Sequence, residues 1–178
     1  MADVDHQQKW IALERGYASA MWTWAEVETG TFTIYLAALG ALALDMRPIR
    51  SSFFSVNSFE VRLSMTHAAV RERWGTSGHG HTWTDLHGRC QTARNQRNKI
   101  AHVSGHYVAP QKPHQEPLYV LIDPFWHKRS PTSWGESKSV GIDESMLSEF
   151  SKTWHQLSYD LSQFGTQLWS EAFPSPAV

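Results

Sequence analysis

The stretch at residues 94–102, RNQRNKIAH, concentrates the side chains of this sequence that are best suited to chemistry. Arginine binds a phosphate through a rigid fork of N–H donors and stabilises extra negative charge on it. Histidine titrates near neutral pH and moves protons in either direction. Asparagine binds a hydroxyl or phosphate oxygen without changing its charge. These residue types suit cleavage of RNA, which supplies its own nucleophile, the 2′-hydroxyl, and then requires neither a metal nor a protein nucleophile.

A helix over this stretch would bring these groups together. Arg94, Asn98 and His102 are spaced by four and form one polar row, each shifted by about 40° from the last. The opposite side carries an apolar series at seven-residue spacing: Leu86, Ala93 and Ile100. Arg97 lies at the border, where its long side chain can bend toward either face. His102 falls in the expected last turn, where the helix dipole favours its imidazolium form.

The spacing between arginine and histidine carries little information by itself. With ten histidines in the chain, an arginine four to six residues before a histidine arises by chance about once or twice, and it occurs at 62–67, 73–79 and 97–102. A polar residue, Asn98, directly follows the arginine only in the last of these. Cationic side chains near the end of a helix are also favoured by its dipole, whatever their function.

The complete string RNKIAH, residues 97–102, resembles the signature of the HEPN superfamily (higher eukaryotes and prokaryotes nucleotide-binding). That signature is Arg, commonly followed by Asn, with His a few residues later, and R-N-x-x-A-H is a frequent form. The resemblance implies an α-helical bundle with the signature late in a helix. It implies that Arg97 engages the scissile phosphate, Asn98 orients the ribose hydroxyl or the phosphate, and His102 acts as general acid or base. Arg94 has no fixed family role, and we expect it either to position phosphate or to serve only as a surface charge.

Other candidate sites are weaker. His79 and His81, with His87 nearby, have only Asp85 as a carboxylate at ligand spacing, and the HEXXH pattern is absent, so we expect no metal. The single cysteine, Cys90, cannot form an intrachain disulfide. It falls on an apolar helical face and is predicted to be buried and inert. No cofactor-binding motif is present.

Composition indicates a globular chain of 178 residues, 41% hydrophobic and 19% charged. The net charge of −1 argues against a general nucleic-acid coat. Residues 47–105 nevertheless hold nine Lys/Arg and three Asp/Glu, a local charge of +6, which either attracts phosphate or forms a solvated face. The apolar run at 34–44 is too short to span a bilayer, which takes about 20 residues. With no signal peptide at the start of the sequence, we expect a cytoplasmic protein without a membrane partner.

Helical periodicity dominates the first hundred residues. Residues 5–28 form an apolar face at helical spacing, and Gly30 predicts its end. A shorter second helix is predicted over residues 34–44. Asn-Ser-Phe-Glu at 57–60 has a capping-box layout and predicts a third helix that Gly75 stops. Residues 75–81 then read as a loop, and a fourth helix runs from Thr82 to 104–105.

Residues 104–142 contain five prolines and two short runs typical of strands, 106–109 and 118–123. A last helix is predicted after Asp143, with apolar residues three and four apart from Leu147 to Leu168. The predicted fold is all-α, an antiparallel bundle of about five helices with a small β-hairpin insertion before the last helix. We expect one domain over residues 1–173 and a frayed tail at 174–178.

The resemblance implies a metal-independent endoribonuclease that forms a homodimer and brings two signatures into one cleft. A toxin or phage-defence setting, with an antitoxin partner, is an expectation by analogy. The alternative is a catalytically inactive HEPN-like module that binds a nucleotide or a partner. A third possibility is an unrelated helical interaction protein in which RNKIAH is a coincidence.

Overall fold

The computed structural model describes residues 2–40, 45–109, 117–122 and 141–172, with only the backbone described for 2–4 and 172. Within these ranges it contains five helices and a two-stranded antiparallel hairpin before the last helix, which confirms the all-α bundle. The chain divides into two compact units, residues 1–22 with 95–152 and residues 23–94 with 153–178. The single domain over 1–173 stays a prediction. No helix in the described ranges has the length and apolar character to cross a membrane.

Helix α1, Ala2–Leu39, continues through the glycine that was expected to end it. The predicted break at Gly30 is wrong because this glycine permits a close helix contact: a Cβ built on it would lie 2.9 Å from Leu161 Cβ. Thr29 and Thr31 fit into the helix by bonding to carbonyls four residues earlier, at 2.9 Å each. The helix ends at Gly40, whose φ of 67° suits glycine. The separate helix predicted over 34–44 is wrong, because residues 34–39 form the end of α1. Residues 41–44 of that prediction lie outside the described ranges.

Helix α2, Met46–Ser55, was not expected. Asp45 caps it, because its Oδ1 accepts a hydrogen bond from the amide of Arg47 at 3.1 Å. Pro48 lies in the first turn, where a missing N–H does no harm. Phe53 anchors the helix in a cluster with Phe32 and Leu36 of α1.

Helix α3, Phe59–Trp74, begins and ends close to the predicted positions. Ser58 is the N-cap and accepts from the amide of Val61 at 3.4 Å. Gly75 ends the helix with a φ of 50° and donates to the carbonyl of Arg71 at 2.9 Å. The capping role predicted for Glu60 is wrong, because its Oε2 lies 2.9 Å from Arg94 Nη1.

Helix α4, Gly78–Ile100, starts earlier and ends earlier than predicted. Residues 78–81, expected in a loop, form its first turn because Gly80 allows a close approach: a Cβ there would lie 1.9 Å from the carbonyl oxygen of Gly75. The expected continuation to 104–105 is wrong, because Ser104 and Gly105 belong to a strand. A Cβ on Gly105 would lie 2.6 Å from Cζ3 of Trp10, so only glycine lets this strand approach α1.

The hairpin pairs β1, Ser104–Val108, with β2, Leu118–Ile122, and sets Tyr107 opposite Tyr119. Both predicted strands are present, although β1 begins two residues before the predicted 106 and ends one residue before the predicted 109. Residue 123 and the tail at 174–178 lie outside the described ranges. Helix α5, Glu144–Ala172, follows Asp143, whose Oδ1 accepts from the amide of Met146 at 2.9 Å. All seven residues of its apolar stripe are buried: Leu147, Phe150, Trp154, Leu157, Leu161, Phe164 and Leu168.

Candidate functional site

Arg97 and Asn98 lie in the last turn of α4 and contact each other. Arg97 is half-buried and its Nη1 donates to Asn98 Oδ1 at 3.4 Å, while Asn98 is exposed. The bond is long and joins neighbours in the sequence, so it holds the two side chains together only weakly. Both groups therefore remain able to rearrange around a ligand.

His102 lies beyond the helix, in the turn between Ile100 and β1, and is exposed. Its predicted position in the last helical turn is wrong because α4 ends at Ile100. The row at four-residue spacing consequently ends at Asn98. Within the described ranges, no hydrogen bond or ion pair joins His102 to Arg97 or Asn98. The turn leaves the imidazole open to solvent, where it can exchange protons with a substrate.

Arg97 carries a positive charge that no carboxylate compensates within the described part of the chain. Its Nε is also buried and has no hydrogen-bond acceptor there. A buried donor without a partner is unfavourable, by about 1–3 kcal/mol. An anion bound at this position would supply both the missing acceptor and the missing charge.

Arg62 and Arg73, the other two arginines at similar distances before a histidine, each have an acceptor for their guanidinium group. Arg62 is buried, and its Nη2 lies 2.6 Å from Oε1 of Glu28. Its Nε also lacks an acceptor, but the ion pair compensates the charge. Arg73 donates from Nη1 to the carbonyl of Ala37 at 3.0 Å and so caps the end of α1.

The histidines of those two pairs are occupied as well. His67 Nδ1 accepts a hydrogen bond from Nε1 of Trp83 at 3.2 Å. His79 Nε2 lies 2.5 Å from Oε2 of Glu171. The structure thus distinguishes the three arginine–histidine pairs, which have similar spacing in the sequence. Only at 97–102 do both the arginine and the histidine lack a charged partner in the described residues.

Arg94, one turn before Asn98, forms an ion pair with Glu60 and has a side chain that is 21% exposed. A phosphate would have to compete with that carboxylate. Its role as a phosphate-positioning residue stays a prediction.

Two histidines in the first half of α4 contact side chains of other helices. His79 pairs with Glu171, and the ring of His87 lies 4.3 Å from the ring of His67. Across the described ranges, no three His, Cys, Asp or Glu side chains converge as metal ligands.

Cys90 is fully buried, as predicted from its place on the apolar face of α4. Burial raises the pKa of its thiol to about 12, despite a hydrogen bond with Thr31 and the nearby charge of Arg89. The thiol is therefore neutral near pH 7 and is not a nucleophile.

Sequence reasoning missed an aromatic cluster on the hairpin. His6 and Trp10 of α1 meet Tyr107 of β1 and Tyr119 of β2, with ring centroids 5.1–5.5 Å apart. The four-residue spacing of His6 and Trp10 could have shown that they share a helix face. Their meeting with the tyrosines depends on strand register, which no local pattern specifies.

The aromatic cluster and residues 97, 98 and 102 belong to the same compact unit. This unit therefore combines an arginine without a carboxylate partner among the described residues, an exposed histidine and partly exposed aromatic rings. No protein-family model matches the chain, and no curated protein or solved structure matches it either.

Proposed function

We propose that this protein is a metal-independent endoribonuclease of the HEPN type. The observation that carries the proposal is the half-buried Arg97, which has no carboxylate partner in the part of the chain that the structure describes, with Asn98 beside it and an exposed His102 five residues later. Arginine, asparagine and histidine suit cleavage by a 2′-hydroxyl, because they can stabilise the phosphoryl charge, orient an oxygen and transfer protons. Their similarity to the HEPN signature supports the same assignment.

In the proposed reaction, the substrate's O2′ bonds to phosphorus while the bond from phosphorus to O5′ breaks. The proton of the 2′-hydroxyl passes to a neutral histidine, and the departing O5′ takes a proton from an imidazolium. The products are a 2′,3′-cyclic phosphate and a 5′-hydroxyl. Arg97 compensates the charge that builds up on the phosphoryl oxygens, and Asn98 orients the ribose hydroxyl or the phosphate.

A homodimer would supply two copies of His102 to one cleft, one as base and one as acid. The proposal therefore includes a homodimer as the active form. Sedimentation analysis tests it: we expect cleavage activity to follow the dimer fraction on dilution. Activity that is unchanged in a fully monomeric sample would contradict this part of the proposal.

The decisive experiment is RNA cleavage in the presence of EDTA. Removing a positioned acid or base lowers rates by about 10²–10⁴-fold, and removing a charge-stabilising donor lowers them by about 10²–10³-fold. We expect such losses for His102→Ala and Arg97→Ala. Arg71→Ala and His155→Ala, which alter exposed residues on α3 and α5, are the matched controls and should cleave like wild type.

Two results would overturn the proposal. One is cleavage by His102→Ala at the wild-type rate, which would assign the activity to another site or a contaminant. The other is cleavage that EDTA abolishes and Mg²⁺ restores. A toxin or defence role with an antitoxin partner extends the proposal by analogy, and predicts that wild type, but not His102→Ala, arrests growth when expressed.

The second candidate function is a catalytically inactive module that binds a nucleotide or a partner. It is favoured by the net charge of −1 and by the Glu60 carboxylate that occupies Arg94, since both weaken binding of a long polyanion. Under this alternative no RNA is cleaved, and a nucleotide raises the melting temperature of wild type but not of Arg97→Ala.

A further inference from the structure

The two faces of the β-hairpin differ in chemistry. One face carries a small aliphatic core of Val120 and Ile122 with Val108 and Leu118, together with Ser104 and His106 of β1. The other face carries Tyr107 opposite Tyr119. The tyrosine rings meet His6 and Trp10 edge-on, at interplanar angles of 62–82°, and are tilted by 60° against each other.

The aromatic face remains partly open. Tyr107 is 48% exposed and His6 is exposed, whereas Trp10 and Tyr119 are half-buried. The half-buried rings and a hydrogen bond between His6 Nδ1 and the Tyr119 hydroxyl hold the group in place. Within the described ranges β1 pairs only with β2, so Tyr107 belongs to a strand whose other edge is unpaired there.

The hairpin directly follows the proposed catalytic residues. Tyr107 lies five positions after His102, and even a fully extended chain of that length spans at most about 18 Å. Proteins that bind single-stranded nucleic acid contact on the order of 4–16 nucleotides per module. The aromatic face therefore lies within reach of bases that flank a phosphate beside His102.

We propose that His6, Trp10, Tyr107 and Tyr119 form a stacking subsite for an unpaired base of RNA, with Tyr107 as the contact ring. The subsite rests on the proposed ribonuclease function, and it makes Tyr107 a positioning residue that holds the strand beside Arg97. Exposed aromatic rings recognise unstacked bases in this way, whereas the bases of a duplex are already stacked and cannot use such a ring.

Binding of a fluorescently labelled ten-nucleotide oligoadenylate by fluorescence anisotropy tests this subsite, with His102→Ala as the background that prevents cleavage. Loss of one base-stacking ring weakens binding by about tenfold or more. We expect that loss for Tyr107→Ala and near-parental binding for Tyr107→Phe. Tyr159→Ala, which removes a tyrosine of 56% exposure from α5, is the matched control and should not weaken binding.

An oligonucleotide of the same length with abasic sugars separates stacking from charge. It should bind equally to the background protein and to Tyr107→Ala, because it has phosphates but no bases. Equal binding of oligoadenylate to these two proteins would overturn the subsite, as would Tyr107→Phe binding as weakly as Tyr107→Ala.

Ultraviolet cross-linking of 4-thiouridine RNA to the His102→Ala protein gives a readout that does not depend on the folding of Tyr107→Ala. Cross-links at Tyr107 or Tyr119 support the subsite, and cross-links confined to other surfaces overturn it. The two proposals fail separately. Ring-dependent oligoadenylate binding without any cleavage by wild type would refute the ribonuclease and keep the subsite, whereas cleavage with ring-independent binding would do the reverse.

Discussion

Gly30 should tolerate alanine poorly, although it lies inside a long helix. A Cβ at this position would lie 2.9 Å from Cβ of Leu161, which is fully buried. The clashing atom is attached to the backbone of α5, so relief requires a shift of a helix and not a change of rotamer. Overpacking of this kind destabilises by about 1–3 kcal/mol, whereas replacing glycine by alanine in a helix stabilises by about 1 kcal/mol.

The net expectation is a loss of about 1 kcal/mol in the free energy of unfolding, near the middle of the range left by those two terms. Gly88 of α4 is the matched control, since a Cβ there meets nothing within 4 Å. Gly88→Ala should therefore stabilise by about 0.5–1 kcal/mol. The two substitutions are chemically identical, so opposite signs would isolate the packing contribution.

Urea unfolding followed by circular dichroism measures the free energy of unfolding of both variants. In a chain of this size, 1 kcal/mol corresponds to a shift in melting temperature of about 2–4 °C. A Gly30→Ala protein as stable as Gly88→Ala would refute the close contact of α1 with Leu161. A double-mutant cycle with Leu161→Gly, which removes the clashing Cβ, adds a second criterion: a clash gives a coupling energy of at least about 0.5 kcal/mol, whereas a purely local backbone effect is additive.

Three further predictions concern other parts of the structure. Burial lowers the pKa of His67 and of His87 below the ordinary 6.5, and Trp83 donates a hydrogen bond to the unprotonated form of His67. As the pH falls, the unfolded chain therefore binds protons at a higher pH than the folded chain does. The free energy of unfolding should consequently fall as pH drops below about 6.5. Urea unfolding at a series of pH values checks this, and an equally steep fall in His87→Gln would contradict it. Cys90, with its pKa raised to about 12, should react with Ellman's reagent at pH 8 only after unfolding, and rapid stoichiometric reaction of the native protein would disprove its burial. Asp143→Ala removes the acceptor of the Met146 amide and should lower the free energy of unfolding by about 1 kcal/mol. Asp143→Asn keeps an acceptor oxygen and should lower it less. Equal losses in the two variants would show that this hydrogen bond does not contribute to stability.

Local patterns were sufficient for the elements whose ends and buried faces are encoded nearby. Asp143 and the apolar residues from Leu147 to Leu168 specify α5, because a cap and a 3.6-residue period act over a few turns. Gly75 ends α3 for an equally local reason, a positive φ that disfavours other residues.

Local patterns failed where a residue's role depends on a distant neighbour. Glycine ends helices and also permits close helix packing, and only the position of Leu161 shows that Gly30 serves the second purpose. Gly80 and Gly105 are similar, since each allows an approach by an atom that the sequence alone does not place. The missed helix α2 is different, because Asp45 and Pro48 are a local signal for its start.

The same division holds for the candidate site. The sequence by itself determined that Arg97, Asn98 and His102 stand close together along the chain and that their residue types suit cleavage of RNA by its own hydroxyl. It could not distinguish Arg97 from Arg62, whose partner Glu28 lies 34 positions away. Whether a carboxylate compensates an arginine depends on their distance in space. Only the tertiary structure brings the Glu28 carboxylate to Arg62 and leaves Arg97 without a carboxylate partner in the described chain.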